Sequence, residues 1–202
     1  MLSQYALFLS YGCDKLLFGG VVMTDMRKFK SKRDIQNGLI DCLATQDFAD
    51  ITVNNICTQA LVGRSTFYHH YEDKYALLTE IVTDYADKFS QLLTVRIAKI
   101  TNDEPLVRLY QGLATDAPAI IRLLQIHIRD GDLRERYLAS LSEHAERILP
   151  QAQLAIPRSF ALDLYASTAF SAISWALANG SVTEIAHFMN HLMKDILNTE
   201  VK

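Results

Sequence analysis

The sequence is short of the residues that punctuate a chain. Eight Gly and four Pro among 202 residues are too few for the many tight turns of a sandwich or barrel, which leaves long helices as the favoured architecture. Cysteine is scarcer still. Cys13, Cys42 and Cys57 are odd in number and have no CxxC spacing, which argues against a disulfide framework or a Cys-based zinc site and fits a reducing cytoplasm. Positive charge is not in excess: 20 basic against 23 acidic residues leave a net charge of −3, so any nucleic-acid surface must be local. A nucleophile elbow, a P-loop and a dinucleotide fingerprint are also missing, and with them the usual grounds for reading a chain as an enzyme.

What is present is apolar. Half the residues are hydrophobic and 21% are charged, the balance of a packed domain rather than of a disordered chain. Residues 1–22 are apolar, but they lack a basic front and Gly12-Cys13-Asp14-Lys15 interrupts the run, so a secretory signal or membrane anchor is disfavoured. Residues 1–26 read as an extension upstream of the native domain, with Met23 and Met26 as alternative starts.

From residue 27 the texture changes. Ile35, Leu39, Ile40 and Leu43 mark one helix face, with Ser31 expected as its N-cap. Thr52 can cap a second helix whose apolar face is Val53, Ile56, Cys57 and Ala60. After a break at Leu61-Val62-Gly63, a short helix over 64–71 turns Phe67 and Tyr71 inward. Glu72-Asp73 then opens a long helix through Phe89, as acidic residues at a helix start do. Two short helices across a three-residue turn have the dimensions of a helix-turn-helix. The second leaves Arg64, Ser65, Thr66, Tyr68, His69 and His70 outward, where small hydroxyls let a helix sink into a major groove and the longer side chains reach phosphates or base edges. The basic run over 27–33, with Lys28, Lys30 and Lys32, reads as a phosphate-reaching arm. A plainer reading stands beside it. Short amphipathic helix pairs are common, and the basic residues over 23–74 are balanced by Asp25, Asp34, Asp41, Asp47, Asp50, Glu72 and Asp73.

The stretch from Ile51 to Leu78, above all Thr66-Phe67-Tyr68-His69-His70-Tyr71-Glu72-Asp73-Lys74 followed by Leu77-Leu78, resembles the DNA-binding domain of TetR-family (TetR/AcrR) bacterial regulators. The resemblance covers residues 31–78. It implies that Ser65, Thr66, Tyr68 and His69 face DNA, and that Lys74 and the Thr52 end of the second helix hold phosphates. The turn departs from the family pattern: Leu61 stands where glycine is usual, and Gly63 where a capping serine is common. Gly63 is expected to relieve the turn's strain and to serve as a weak N-cap.

Beyond residue 80, helices are expected at about 104–114, 117–129, 132–149, 158–179 and 182–198, bounded by Pro105, Pro118, Pro157, Gly131 and Gly180. The fold class is therefore all-α with about nine helices: an extension over 1–26, a three-helix DNA-binding domain over 27–75, and a helical effector-binding and dimerisation domain over 76–202. Phe160 to Ala178 is apolar nearly all round. A membrane span would not carry the stripe Asp163, Ser167, Ser171 and Ser174, so a helix buried on both sides is expected. Ser167, Phe170, Ser171, Ser174, Trp175 and Ala178, with Ile185, Met189, Leu192 and Ile196 of the last helix, form the expected four-helix homodimer interface.

The resemblance also implies an effector pocket in the middle helices. Its candidates are Tyr110, Leu113, Ile121, Leu124, His127, Ile128 and Tyr137, each of which also reads as plain core, and His127 with Arg122 and Arg129 suggests an anion subsite. His187 and His191 lie four apart without the Glu of HExxH or a third ligand, so they read as a polar helix face, and no metal or catalytic residue is assigned. The expected function is a cytoplasmic, effector-responsive repressor without a cofactor, binding a double-stranded palindromic operator as a homodimer. The effector is an unknown small molecule or a protein, and no membrane is involved. The alternative is a coactivator-type regulator that works through a protein partner.

Overall fold

The computed structural model describes residues 21–97, 104–148 and 156–197, and among them the chain forms nine α-helices and no strand. The N-terminal unit comprises α1 (Val21–Cys42), α2 (Val53–Gln59) and α3 (Arg64–His70). Its core follows from helical spacing: Ile35, Leu39 and Cys42 of α1 meet Ile56, Cys57 and Phe67, and all are buried. Burying each of the larger side chains contributes on the order of 1.5–3 kcal/mol. Gly38 sets how closely α1 and α2 cross, because a Cβ there would lie 2.9 Å from both the Ala60 Cβ and the Ile56 carbonyl. Thr52 caps α2 as expected: its hydroxyl accepts from the Asn55 N–H while the Asn55 side chain accepts from the Thr52 N–H.

Ser31 is not an N-cap. The first helix begins at Val21, ten residues earlier than the apolar pattern indicates, and crosses the expected boundary at residue 27. Residues 26–34 are all exposed or half-buried, so hydrophobic periodicity carried no record of those turns. The long helix α4 (Lys74–Ile97) starts at Asp73, whose carboxylate accepts from the Tyr75 and Ala76 N–H groups at 2.8 Å each.

The rest of the chain builds on the far half of α4, with α5 (Glu104–Ala114), α6 (Ala117–Leu123), α7 (Leu133–Ile148), α8 (Arg158–Asn179) and α9 (Val182–Leu197). α7 lies between α4 and α8, while α5 packs on α4 and α9. The apolar α8 buries Ala161, Tyr165, Ala169, Ile173 and Ala176 and ends at Gly180 in the left-handed region, whose N–H returns to the Ala176 carbonyl. It alone among the described helices has the length and mean hydropathy of a membrane span, yet 44% of that window is buried inside the protein.

The helix expected over 117–129 stops at Leu123. Beyond it Leu124 and Ile126 are buried while Gln125 and His127 are exposed. The chain leaves the helix through a turn at Leu124 and Gln125, closed by the Gln125 and Ile126 N–H groups on the Arg122 and Leu123 carbonyls, and the apolar residues past it read in the sequence as one helix face.

Candidate nucleic-acid interface

Helix α3 is held by Phe67, which is fully buried, and by Tyr71 just past its end. With those two inward, Arg64, Ser65, Tyr68 and His69 are exposed and Thr66 is half-buried. Arg64 folds along its own helix: its guanidinium donates to the Tyr68 hydroxyl at 3.4 Å and sits 5.9 Å from the ring centroid. The turn before α3 differs from expectation. Gly63 has an ordinary extended conformation and provides no side-chain cap, so it relieves no strain. The left-handed residue is Leu61, at φ 54°, with its side chain 93% exposed. A β-carbon in that region costs on the order of 1–2 kcal/mol, which explains why glycine suits the position.

Residues 26–30 of α1, including Lys28 and Lys30, are exposed. Lys32 is half-buried and pairs with Glu80 of α4 at 2.8 Å. Glu80 also accepts from Gln36 at 2.9 Å and from the Tyr71 hydroxyl at 3.1 Å, so one carboxylate ties α1, the end of α3 and α4 together. Neither Gln36 nor Glu80 stood out in the sequence, because polar residues on helices read as solvated faces. His70 turns toward α1 rather than outward: its Nε2 lies 2.8 Å from the Ser31 hydroxyl. Burial first, then the charges of His69, Lys28 and Lys32, hold its pKa below the usual histidine value against an opposing pull from Glu80.

Lys74, which the resemblance assigns to a phosphate, has partners within the protein. Its ammonium donates to the carbonyls of Phe48, Ala49 and Ile51 at 2.8, 2.9 and 2.7 Å. Those bonds use all three of its protons. The charge also lies over the rings of Phe48 and Tyr75, at 4.8 and 5.5 Å. Lys74 thus locks the α1–α2 connection that sets the start of α2. The Thr52 hydroxyl is likewise engaged in its capping box.

Of the effector candidates, Tyr110, Leu113, Leu124 and Tyr137 are buried, and Ile121 and Ile128 are half-buried. Tyr137 stacks on Phe89 with ring centroids 4.1 Å apart, and its buried hydroxyl has no hydrogen-bond partner. Burial and the nearby Tyr85 and Asp116 raise its pKa. Tyr85 is pushed up to about 12, by burial and then by Asp116 and Asp84. His127 does not join this group. It is exposed on the loop after α6, with Nδ1 2.9 Å from the Asp132 carboxylate. The anion subsite dissolves too: Arg122 donates to the Ile40 carbonyl at 3.0 Å, while Arg129 is solvated beside Asp130.

On α8, Ser167, Ser171, Trp175 and Ala178 form one exposed stripe. Phe160 and Leu164 extend it, and Phe188 of α9 is also exposed; the sequence reading missed all three. Phe170 and Met189 are buried within their own subunit, Phe170 beneath the Arg134 guanidinium at 5.1 Å, so they do not belong to an outward face. Ser174 and Ile185 are half-buried, and the side chains of Leu192 and Ile196 lie outside the described residues. His187 and His191 are exposed on α9.

Comparison with known proteins bears on this geometry. Residues 35–81 match the model of the bacterial regulatory proteins of the tetR family. Over 104 residues the chain is 30% identical to the uncharacterized HTH-type transcriptional regulator YxbF of Bacillus subtilis (strain 168). That match takes in 51% of this chain but spans only 27% of the relative's length. The solved TetR transcriptional regulator of Streptococcus agalactiae 2603V shares 26% identity at a TM-score of 0.63, over 86% of this chain and 98% of that one. The dihydroxyacetone kinase operon activator DhaS shares the fold at 17% identity and a TM-score of 0.54, over 82% of this chain and 96% of that one.

Proposed function

We propose that the chain is a DNA-binding transcriptional regulator of the TetR family, on the match of residues 35–81 to that family and the likeness to the Streptococcus agalactiae regulator, and that it works as an effector-responsive homodimeric repressor. The observation that carries DNA recognition is the outward face of α3, with Ser65, Tyr68 and His69 exposed and Phe67 anchoring the helix from behind. Dimerisation is supported by the α8 stripe, where Trp175 is 52% exposed and Phe160 and Leu164 flank small serines that permit close helix approach. A twofold axis there sets two copies of α3 about 34–36 Å apart, one turn of DNA, so the operator is a near-palindrome. Such a regulator works in the cytoplasm, where its operator is.

Effector response follows from linkage: the ligand must bind the dimer spacing that does not fit DNA more tightly than the one that does. The partnerless Tyr137 hydroxyl in the second domain supports a small molecule bearing a hydrogen-bond acceptor. The test pairs sedimentation with footprinting on a duplex selected by the protein from random sequence. A dimer protecting two half-sites one turn apart is expected, and Trp175→Glu should give monomers that lose the paired footprint. A wild-type monomer protecting a single half-site overturns the homodimer reading.

A further inference from the structure

The recognition helix and the basic first helix are joined at one point near the DNA face. Ser31 lies in α1, and its hydroxyl donates to the Lys28 carbonyl one turn back at 3.0 Å. A serine hydroxyl has a single proton. While that proton is on the Lys28 carbonyl, the 2.8 Å contact to His70 runs from the imidazole Nε2–H to the serine oxygen; in the other tautomer the hydroxyl turns and donates to Nε2. His70 closes α3, and the half-buried ring stands between α3 and α1. The next ties along α1 are Lys32 and Gln36 to Glu80, and the first core residue is Ile35.

Among the described residues, Ser31 is therefore the most N-terminal point at which α1 is tied to the rest of the protein. Residues 26–30 beyond it are exposed. An exposed helical turn draws little support from packing and frays, because helix propagation alone is marginal in water. Lys28 lies on that turn, on the same helix face as Ser31 and Lys32.

We propose that the Ser31–His70 hydrogen bond is a clasp that registers the basic start of α1 beside the recognition helix, so that Lys28 meets a DNA phosphate while α3 occupies the groove. His70 is then a positioning residue rather than a base-reading one. The inference rests on DNA binding through α3. The clasp geometry tolerates either charge state of the ring: a charged ring donates from Nε2, and a neutral one donates or accepts there according to its tautomer.

Four variants test it: Ser31→Ala, His70→Ala, the double replacement, and His70→Gln, whose amide can present a donor where Nε2 stood. The probe is a duplex selected from random sequence by the wild-type protein, titrated over a range of salt. Each alanine should weaken binding about three- to tenfold and reduce the log–log salt slope by about one, the loss of one phosphate contact. The double variant should bind no worse than the weaker single variant, and His70→Gln should restore both readouts. Amide exchange of residues 26–31 in the free protein should quicken with either alanine and not with glutamine. A defect in His70→Ala without one in Ser31→Ala, an unchanged salt slope, or unchanged exchange overturns the clasp. If the wild type selects no duplex, the DNA-binding premise fails, and the exchange measurement still decides the clasp.

Discussion

Replacing Lys74 with methionine separates two roles that a lysine at the foot of α4 can play. The structure gives the ammonium three carbonyl acceptors at 2.7–2.9 Å and two aromatic rings beneath it. Methionine keeps most of the apolar stem and removes the charge and the donors. The carbonyls of Phe48 and Ile51 are part-buried at these bonds, and losing a charged donor there costs about 1–2 kcal/mol each. The exposed Ala49 carbonyl rehydrates at little cost. The ring contacts add about 0.5 kcal/mol at such a site. The sum is about 3 kcal/mol, which for a chain of this size lowers Tm by about 6–12 °C at fixed protein concentration. Calorimetry provides that number. Salt titration of DNA binding, at a temperature where the variant remains folded, provides the other. A phosphate-holding lysine would remove about 0.9 from the salt slope and leave Tm unchanged. The lock predicts the reverse, and a Tm within about one degree of wild type together with a reduced slope would refute it.

Other outcomes follow from the same packing. Leu61→Gly should raise stability by about 1 kcal/mol in urea denaturation, because relief of the left-handed strain at an exposed position exceeds glycine's added chain entropy. Gly38→Ala should cost about 1–3 kcal/mol, since the new methyl meets the Ile56 carbonyl and must push α1 from α2; an unaltered midpoint would show that the crossing yields freely. Tyr137→Phe should leave stability equal or raise it by up to about 1 kcal/mol, because it deletes a buried hydroxyl with no partner. A loss larger than that would mean the hydroxyl is bonded in solution.

Legibility differed between the two halves for a physical reason. Phe67 and Tyr71 were read as inward and Thr52 as a cap because each depends on spacing within a few residues, and local geometry enforces that. The second domain was legible where a helix had clear ends, as in α5 and α8, and illegible after Leu123, where the apolar residues of a turn and the loop behind it happened to satisfy a helical period. Phe170 and Met189 failed as interface residues because α8 is apolar all round, so composition cannot say which side meets its own subunit. The protein partners of Lys74 and His70 were illegible for a different reason: Phe48 to Ile51 and Ser31 lie 23 to 39 residues away along the chain.

The order of amino acids by itself determined where most helices run, which faces of α2 and α3 are apolar, and which side chains the recognition helix turns outward, since these follow from a repeat of 3.6 residues and short-range capping. Only the tertiary structure decided what each polar side chain does on arrival. A lysine, a histidine or a glutamate has several partners open to it, and the choice among them rests on which backbone carbonyls and hydroxyls the folded chain brings within about 3 Å.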